Sequence, residues 1–121
     1  EYIIVFDDLS HELKSPALVQ LLKKNRHYKM KIIISSQYLH DLLPESRKQL
    51  DVAILFKGLP VPKLKEIYKD TDVSLPFDLF TKLYRRATKY RYSFLYIDIR
   101  NDQFRRCFNE KFIFKDPNDE D

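Results

Sequence analysis

Tyr2-Ile3-Ile4-Val5-Phe6 is an unbroken apolar, β-rich run that predicts a strand covered on both faces, and it stops at Asp7-Asp8. Ser15 followed by Pro16 is a helix start, a cap residue and then proline at the first helical position. Leu18, Leu21 and Leu22 lay an apolar stripe along that helix, which fades near Asn25-Arg26. A second strand is expected over residues 31–35, and Pro44 opens a brief helical turn to about Leu50. Val52-Ala53-Ile54-Leu55-Phe56 reads as a third strand. Strands and helices alternating on short links predict an α/β fold, a mainly parallel sheet flanked by helices.

The second half is less regular. Pro62 opens a helix to about Asp70 with Leu64, Ile67 and Tyr68 inward. A longer helix is expected from Phe77 to about Tyr90, with Phe77, Phe80, Tyr84 and Ala87 on its core face. Lys82, Arg85, Arg86 and Lys89 fall at i, i+3, i+4 and i+7 of the same helix. Residues 93–99 read as a fourth strand and 111–114 as a fifth, short and at an edge. There is no internal repeat and no low-complexity segment. The pattern predicts one domain over residues 1–115 with an acidic tail over 116–121.

Composition narrows the chemistry. A chain of 121 residues has room for a single core of ordinary size. It contains one glycine, Gly58, so neither a G-x-x-x-x-G-K-[ST] phosphate loop nor a G-x-G-x-x-G turn can be written within it. The 22 Lys and Arg exceed the 18 Asp and Glu by four, but four of those acids lie in the last six residues, which hold no base. Residues 1–115 therefore carry a net +8, which suits a polyanionic partner. The single cysteine, Cys107, cannot form an internal disulfide; a reducing compartment and a packed thiol are the expectation. His11, His27 and His40 lack ligand spacing and read as structural. No stretch has the roughly 18 consecutive apolar residues of a membrane-spanning helix. The chain opens on Glu1-Tyr2, without Met and directly before a strand, so a segment of a larger protein is expected.

Three features are candidates for chemistry. Asp7 and Asp8 end an apolar strand, and parallel sheets bind ligands at the carboxyl ends of their strands. One carboxylate there suits a water-shelled Mg²⁺, and a second suits an attacking water; the alternative is an acidic strand end leading into a turn. Gln37 follows the second strand and Ser35-Ser36, where its amide can bond both a phosphate oxygen and a water. It can equally cap the next helix. Arg26 and Arg47 flank this unit, and a guanidinium suits phosphate charge, although both also read as surface helix residues. The basic positions Lys82, Arg85, Arg86 and Lys89 either track phosphates or form a solvated helix face with no aromatic interleaved.

The segments IIVFDD and KKNRHYKMKIIISSQYLHDLLPESRKQLDVAILFKG resemble the genome-packaging ATPases of large eukaryotic DNA viruses. These include the poxvirus type and belong to the FtsK–HerA group of P-loop motors. FDLFTKLYRRATKYRYSFLYIDIR is similar to their C-terminal region, so the likeness runs to about Phe114. The Asp-Asp strand is moderately specific; the ordered Arg-His-Tyr, Ser-Ser-Gln and Leu-Pro-x-x-x-Arg series is more so. The resemblance implies the C-terminal part of a RecA-like (ASCE P-loop) ATPase, with residues 3–8 as the Walker B strand. It implies that Asp7 holds the water shell of Mg²⁺ and Asp8 activates the attacking water. Gln37 is then the sensor between the γ-phosphate and that water, and Arg47, with Arg26 as second choice, is a trans-acting arginine.

In that family the phosphate loop lies upstream of Walker B. The chain alone is therefore expected to bind nucleotide weakly and not to turn over ATP. The implied cofactors are ATP and Mg²⁺. The implied partners are viral double-stranded DNA, further copies in a ring, and a packaging vertex on a capsid or inner membrane. The implied location is the viral factory of the host cytoplasm, or the virion. Two other functions remain open on the residues alone. One is a non-catalytic basic nucleic-acid-binding module; the other is a metal-dependent nuclease using Asp7, Asp8 and Asp98 around two cations.

Overall fold

A computed structural model describes residues 2–7, 14–24, 30–36 and 42–113. The expected acidic tail, the three histidines and Phe114 lie outside the described residues. The chain divides into two compact units, residues 1–50 and 51–121.

In the first unit, β1 (Tyr2–Asp7), α1 (Pro16–Lys24), β2 (Met30–Ser35) and α2 (Pro44–Arg47) succeed one another. Ser15 starts α1 as expected: its Oγ accepts from the Ala17 N–H at 3.2 Å and its carbonyl from the Leu18 N–H at 3.1 Å. β1 and β2 pair in parallel, in register from Tyr2 opposite Met30 to Asp7 opposite Ser35. Leu18, Leu22 and Leu42 form the core, with Phe6, Leu21, Ile32 and Ile34 packed on it. Side chains alternate across a strand, so Ile4, Phe6, Ile32 and Ile34 share the more buried face.

The other face is open. Ile3, Val5 and Ile33 on it are 64%, 58% and 56% exposed, while Tyr2, on the core side at the start of β1, is 70% exposed. The expectation of a strand covered on both faces is corrected here to one. The apolar run reports which residues tolerate burial, while α1 supplies a covering layer on a single side.

The second unit contains β3 (Val52–Phe56), α3 (Val61–Thr71), α4 (Phe77–Ala87), β4 (Phe94–Asp98), β5 (Gln103–Arg106) and β6 (Glu110–Lys111). The four strands form one sheet in the order β3-β4-β5-β6. β3 pairs antiparallel with β4, Val52 opposite Asp98 through Phe56 opposite Phe94, rather than extending a parallel sheet. Its apolar run signals a strand and carries no information on direction; that depends on the partner met after two intervening helices. β5 is a strand the apolar pattern misses, because Phe104 is its one apolar residue. That residue is nonetheless buried, edge-on to Phe80 of α4.

Phe80, Ala87, Leu95 and Ile97 are fully buried, and Leu64 and Phe104 nearly so. Phe80 stands in edge, tilted and stacked contacts with Phe104, Tyr68 and Phe77. The Tyr84 hydroxyl ties α4 to the end of β3, donating to the Phe56 carbonyl and accepting from the Leu59 N–H at 3.1 Å. Gly58 sits between them at φ +106, and a Cβ there would meet nothing within 4 Å; the backbone angle, not space, calls for glycine. α4 stops at Ala87 instead of running to Tyr90. The Thr88 hydroxyl turns back to the Tyr84 carbonyl at 2.8 Å, and a separate turn comes after it.

Candidate functional site

The parallel pair carries the strand-end rim on which the catalytic reading of the sequence depends. In-register pairing ends both strands together, Asp7 opposite Ser35. Both side chains are exposed and share a face with Val5 and Ile33, away from the core. Asp8 follows Asp7 and Gln37 follows Ser36 in the chain; both lie outside the described residues, as does Arg26. Arg47 is the last residue of α2 and is half-buried, its N–H donating to the Leu43 carbonyl at 3.1 Å. Beside it the Ser46 side chain is fully buried, and among the described residues its hydroxyl has no hydrogen-bond partner. Lys23 and Glu45 join α1 to α2 by an exposed ion pair at 3.7 Å, a contact of little energetic weight.

A hollow of about 370 Å³ lies in this unit, lined by Pro16, Val19, Gln20, Leu43, Pro44 and Glu45. Its lining offers one carboxylate and no cation, the opposite of what a triphosphate needs. Among the described residues no group of three or more His, Cys, Asp or Glu is gathered to hold a metal. Asp98, the third carboxylate of the nuclease alternative, closes a turn after β4. It accepts from the Asn101 N–H at 3.2 Å and the Asn101 amide at 2.9 Å.

Of the expected basic face, Lys82, Arg85 and Arg86 are exposed on α4, and Lys89 lies beyond its end. Where the helix was expected to run on to Tyr90, residues 89–93 form a turn in which cations and aromatic rings alternate, Lys89-Tyr90-Arg91-Tyr92. The Arg91 guanidinium lies 4.9 Å from the Tyr92 ring centroid. Lys89 and Arg106 lie 5.7 Å and 5.1 Å from that of Tyr90. A hydrogen bond to Glu110 holds the Arg106 guanidinium above its ordinary pKa, so it is charged at every working pH. A hollow of about 450 Å³ lined by Phe56, Lys57, Tyr90, Arg91, Tyr92 and Ser93 adjoins the turn. The signal available in the sequence is the base–aromatic alternation together with the absence of any acid between Asp78 and Asp98.

No protein-family model matches the chain. It is 31% identical over 100 residues to uncharacterized protein 075L of Invertebrate iridescent virus 6, covering 79% of this chain and 38% of that one. It is 30% identical over 122 aligned positions to uncharacterized protein 088R of Invertebrate iridescent virus 3, covering 95% and 45%. The chain thus spans less than half the length of these relatives.

Among solved structures it is similar to the genome packaging NTPase B204 of Sulfolobus turreted icosahedral virus 2 in complex with ATP-gammaS. That match has a TM-score of 0.68 and 26% identity, over 93% of this chain and 52% of that one. The same NTPase with AMPPCP matches at 0.68 and 25%, over 86% and 52%. B204, the DNA-packaging ATPase of Sulfolobus Turreted Icosahedral Virus, matches at 0.65 and 25%, over 86% and 50%. The fold is accordingly α/β, that of the C-terminal part of a RecA-like P-loop ATPase.

Proposed function

We propose that these residues form the C-terminal portion of a viral genome-packaging ATPase, and that the protein containing them uses ATP hydrolysis to drive double-stranded DNA into a capsid. One observation carries the reading. A chain whose first strand ends at Asp7, with Asp8 next in the sequence, is similar, over 93% of its length, to a packaging NTPase solved with an ATP analogue. The reading further assigns the protein to the FtsK–HerA group, working as a ring at a capsid or inner-membrane vertex in viral factories of the host cytoplasm or in the virion.

Asp7 suits Mg²⁺: it is an exposed, hard oxygen donor at a strand end, with no metal-ligating cluster around it among the described residues. A cation that keeps most of its water shell needs no more than that. When bound, Mg²⁺ supplies neutralising charge at the β- and γ-phosphate oxygens. The remaining work falls to the chain's own side chains. Asp8 accepts a proton from the attacking water, and the Gln37 amide bonds that water with its carbonyl and a γ-phosphate oxygen with its N–H. Arg47, with Arg26 as second choice, places its guanidinium on the nucleotide of a neighbouring subunit, where phosphoryl charge spreads in the transition state. The phosphate loop is assigned to residues outside this segment, since Gly58 is its one glycine.

The test uses a protein carrying this segment together with its phosphate loop. Asp8→Asn is expected to bind ATP and to lose hydrolysis by at least ~10²-fold, the usual worth of a general base. Hydrolysis at the parent rate overturns the assignment. Arg47→Ala is expected to be inactive alone and to regain part of the rate when mixed with Asp8→Asn subunits, which still carry the arginine. No recovery on mixing moves the trans-acting role from Arg47 to Arg26 or removes it.

A further inference from the structure

From Leu79 to Ile97 the chain carries five cations, Lys82, Arg85, Arg86, Lys89 and Arg91, and no acid. The last two stand on a turn that is built rather than slack. The Ser93 N–H donates to the Tyr90 carbonyl at 3.1 Å. The Ser93 hydroxyl donates to the same carbonyl at 2.7 Å and accepts from the Tyr90 N–H at 3.1 Å. Ser93 itself is buried. Among the described residues neither Lys89 nor Arg91 has a carboxylate partner, and neither does Lys57, which lines the adjoining hollow with Arg91.

Tyr92 is the odd residue. Its φ of +66 is left-handed, a conformation disfavoured for any side chain with a Cβ and ordinarily filled by Gly or Asn in a turn. Yet the residue is 79% exposed, and its ring meets the exposed Arg91 guanidinium rather than the core. A strained backbone that holds an aromatic ring out in water points to a ligand. The charge on the same turn selects which kind.

We propose that residues 89–93, with Lys57 across the hollow, form a contact for the phosphate backbone of duplex DNA. Tyr90 carries Lys89 and the Glu110-paired Arg106, and Tyr92 carries Arg91. The rings therefore act as supports that hold charge toward phosphate oxygens, and not as bare platforms on which unpaired bases stack. The choice of duplex rests on the packaging reading above; the cation-bearing turn does not.

The whole chain is titrated into a short labelled duplex, and fluorescence anisotropy is followed across a salt series. Arg91→Ala and Lys57→Ala are each expected to weaken binding equally for all duplex sequences and to lower the slope of log affinity against log salt by about 1. Tyr92→Gly is expected to weaken binding while the thermal midpoint stays or rises, because glycine relieves the left-handed backbone. Lys65→Ala, an exposed charge on α3 and not a residue of the turn or its hollow, is expected to change neither. No duplex binding by the parent chain overturns the proposal. So does equal loss from Lys65→Ala and Arg91→Ala, or full affinity in Tyr92→Gly. Tighter, Tyr92-dependent binding to the matching single strand overturns it in favour of base stacking. Failure here with ATP hydrolysis intact in the longer protein leaves the packaging reading standing. Turn-dependent duplex binding without any hydrolysis there removes that reading and leaves this contact.

Discussion

The two units are made from the same parts, apolar strands under amphipathic helices, and they close to different degrees. In the second, α4 lies on a four-stranded antiparallel sheet with α3 packed on α4, and Phe80, Ala87, Leu95 and Ile97 have no exposure at all. In the first, one nine-residue helix and one helical turn cover a two-stranded parallel pair. Leu18 and Val19 reach 4% exposure there, and four large apolar side chains on the strands are more than half exposed. An antiparallel sheet tolerates one wet face; parallel strands with apolar residues on both faces are suited to burial on both. The units divide the work accordingly. The second holds the stability and displays a charged turn, and the first brings two strand ends to one rim.

Three substitutions sharpen or break that contrast, and segment-resolved hydrogen exchange with urea unfolding reads them all. Phe80→Ala removes the ring at the centre of the second unit's aromatic cluster and is expected to cost about 3–5 kcal/mol. The loss should appear as collapse of protection across α3, α4 and β3–β5. Leu22→Ala, in the thinner core of the first unit, is expected to cost about 2 kcal/mol, at the low end for such a deletion because the site is already 8% exposed. A larger loss than from Phe80→Ala would reverse the ranking of the two units. Ile33→Thr on the open face is expected to shift stability by no more than about 0.5 kcal/mol and to reduce self-association, since exposed apolar patches and strand edges invite pairing. A loss matching that of Leu22→Ala would mean the open face is covered in solution.

Much of the fold was legible in the chain because its signals are local. Ser15-Pro16 starts α1 where cap chemistry says it should. Pro44, the Val61-Pro62 pair and Phe77 after Pro76 mark the later helices, and Leu64, Ile67, Phe80, Tyr84 and Ala87 are buried as their spacing requires. The Asp7 end of β1 was equally readable, as five apolar residues and then an acid. The turn at residues 89–93 was not, because base–aromatic alternation becomes a surface only once Thr88 and Ser93 have stopped the helix.

By itself, then, the sequence determined where strands and helices lie, which residues can be buried, and that no phosphate loop can be written in these 121 residues. All of that comes from side-chain periodicity and backbone preference within a few residues. Tertiary structure alone decided that β3 runs antiparallel to β4, that Gln103–Arg106 is a strand, and that Asp7 ends level with Ser35. It also decided that one face of the parallel pair stays open. Pairing direction, register and coverage are set by segments distant in the chain, and no local pattern encodes which distant partner arrives.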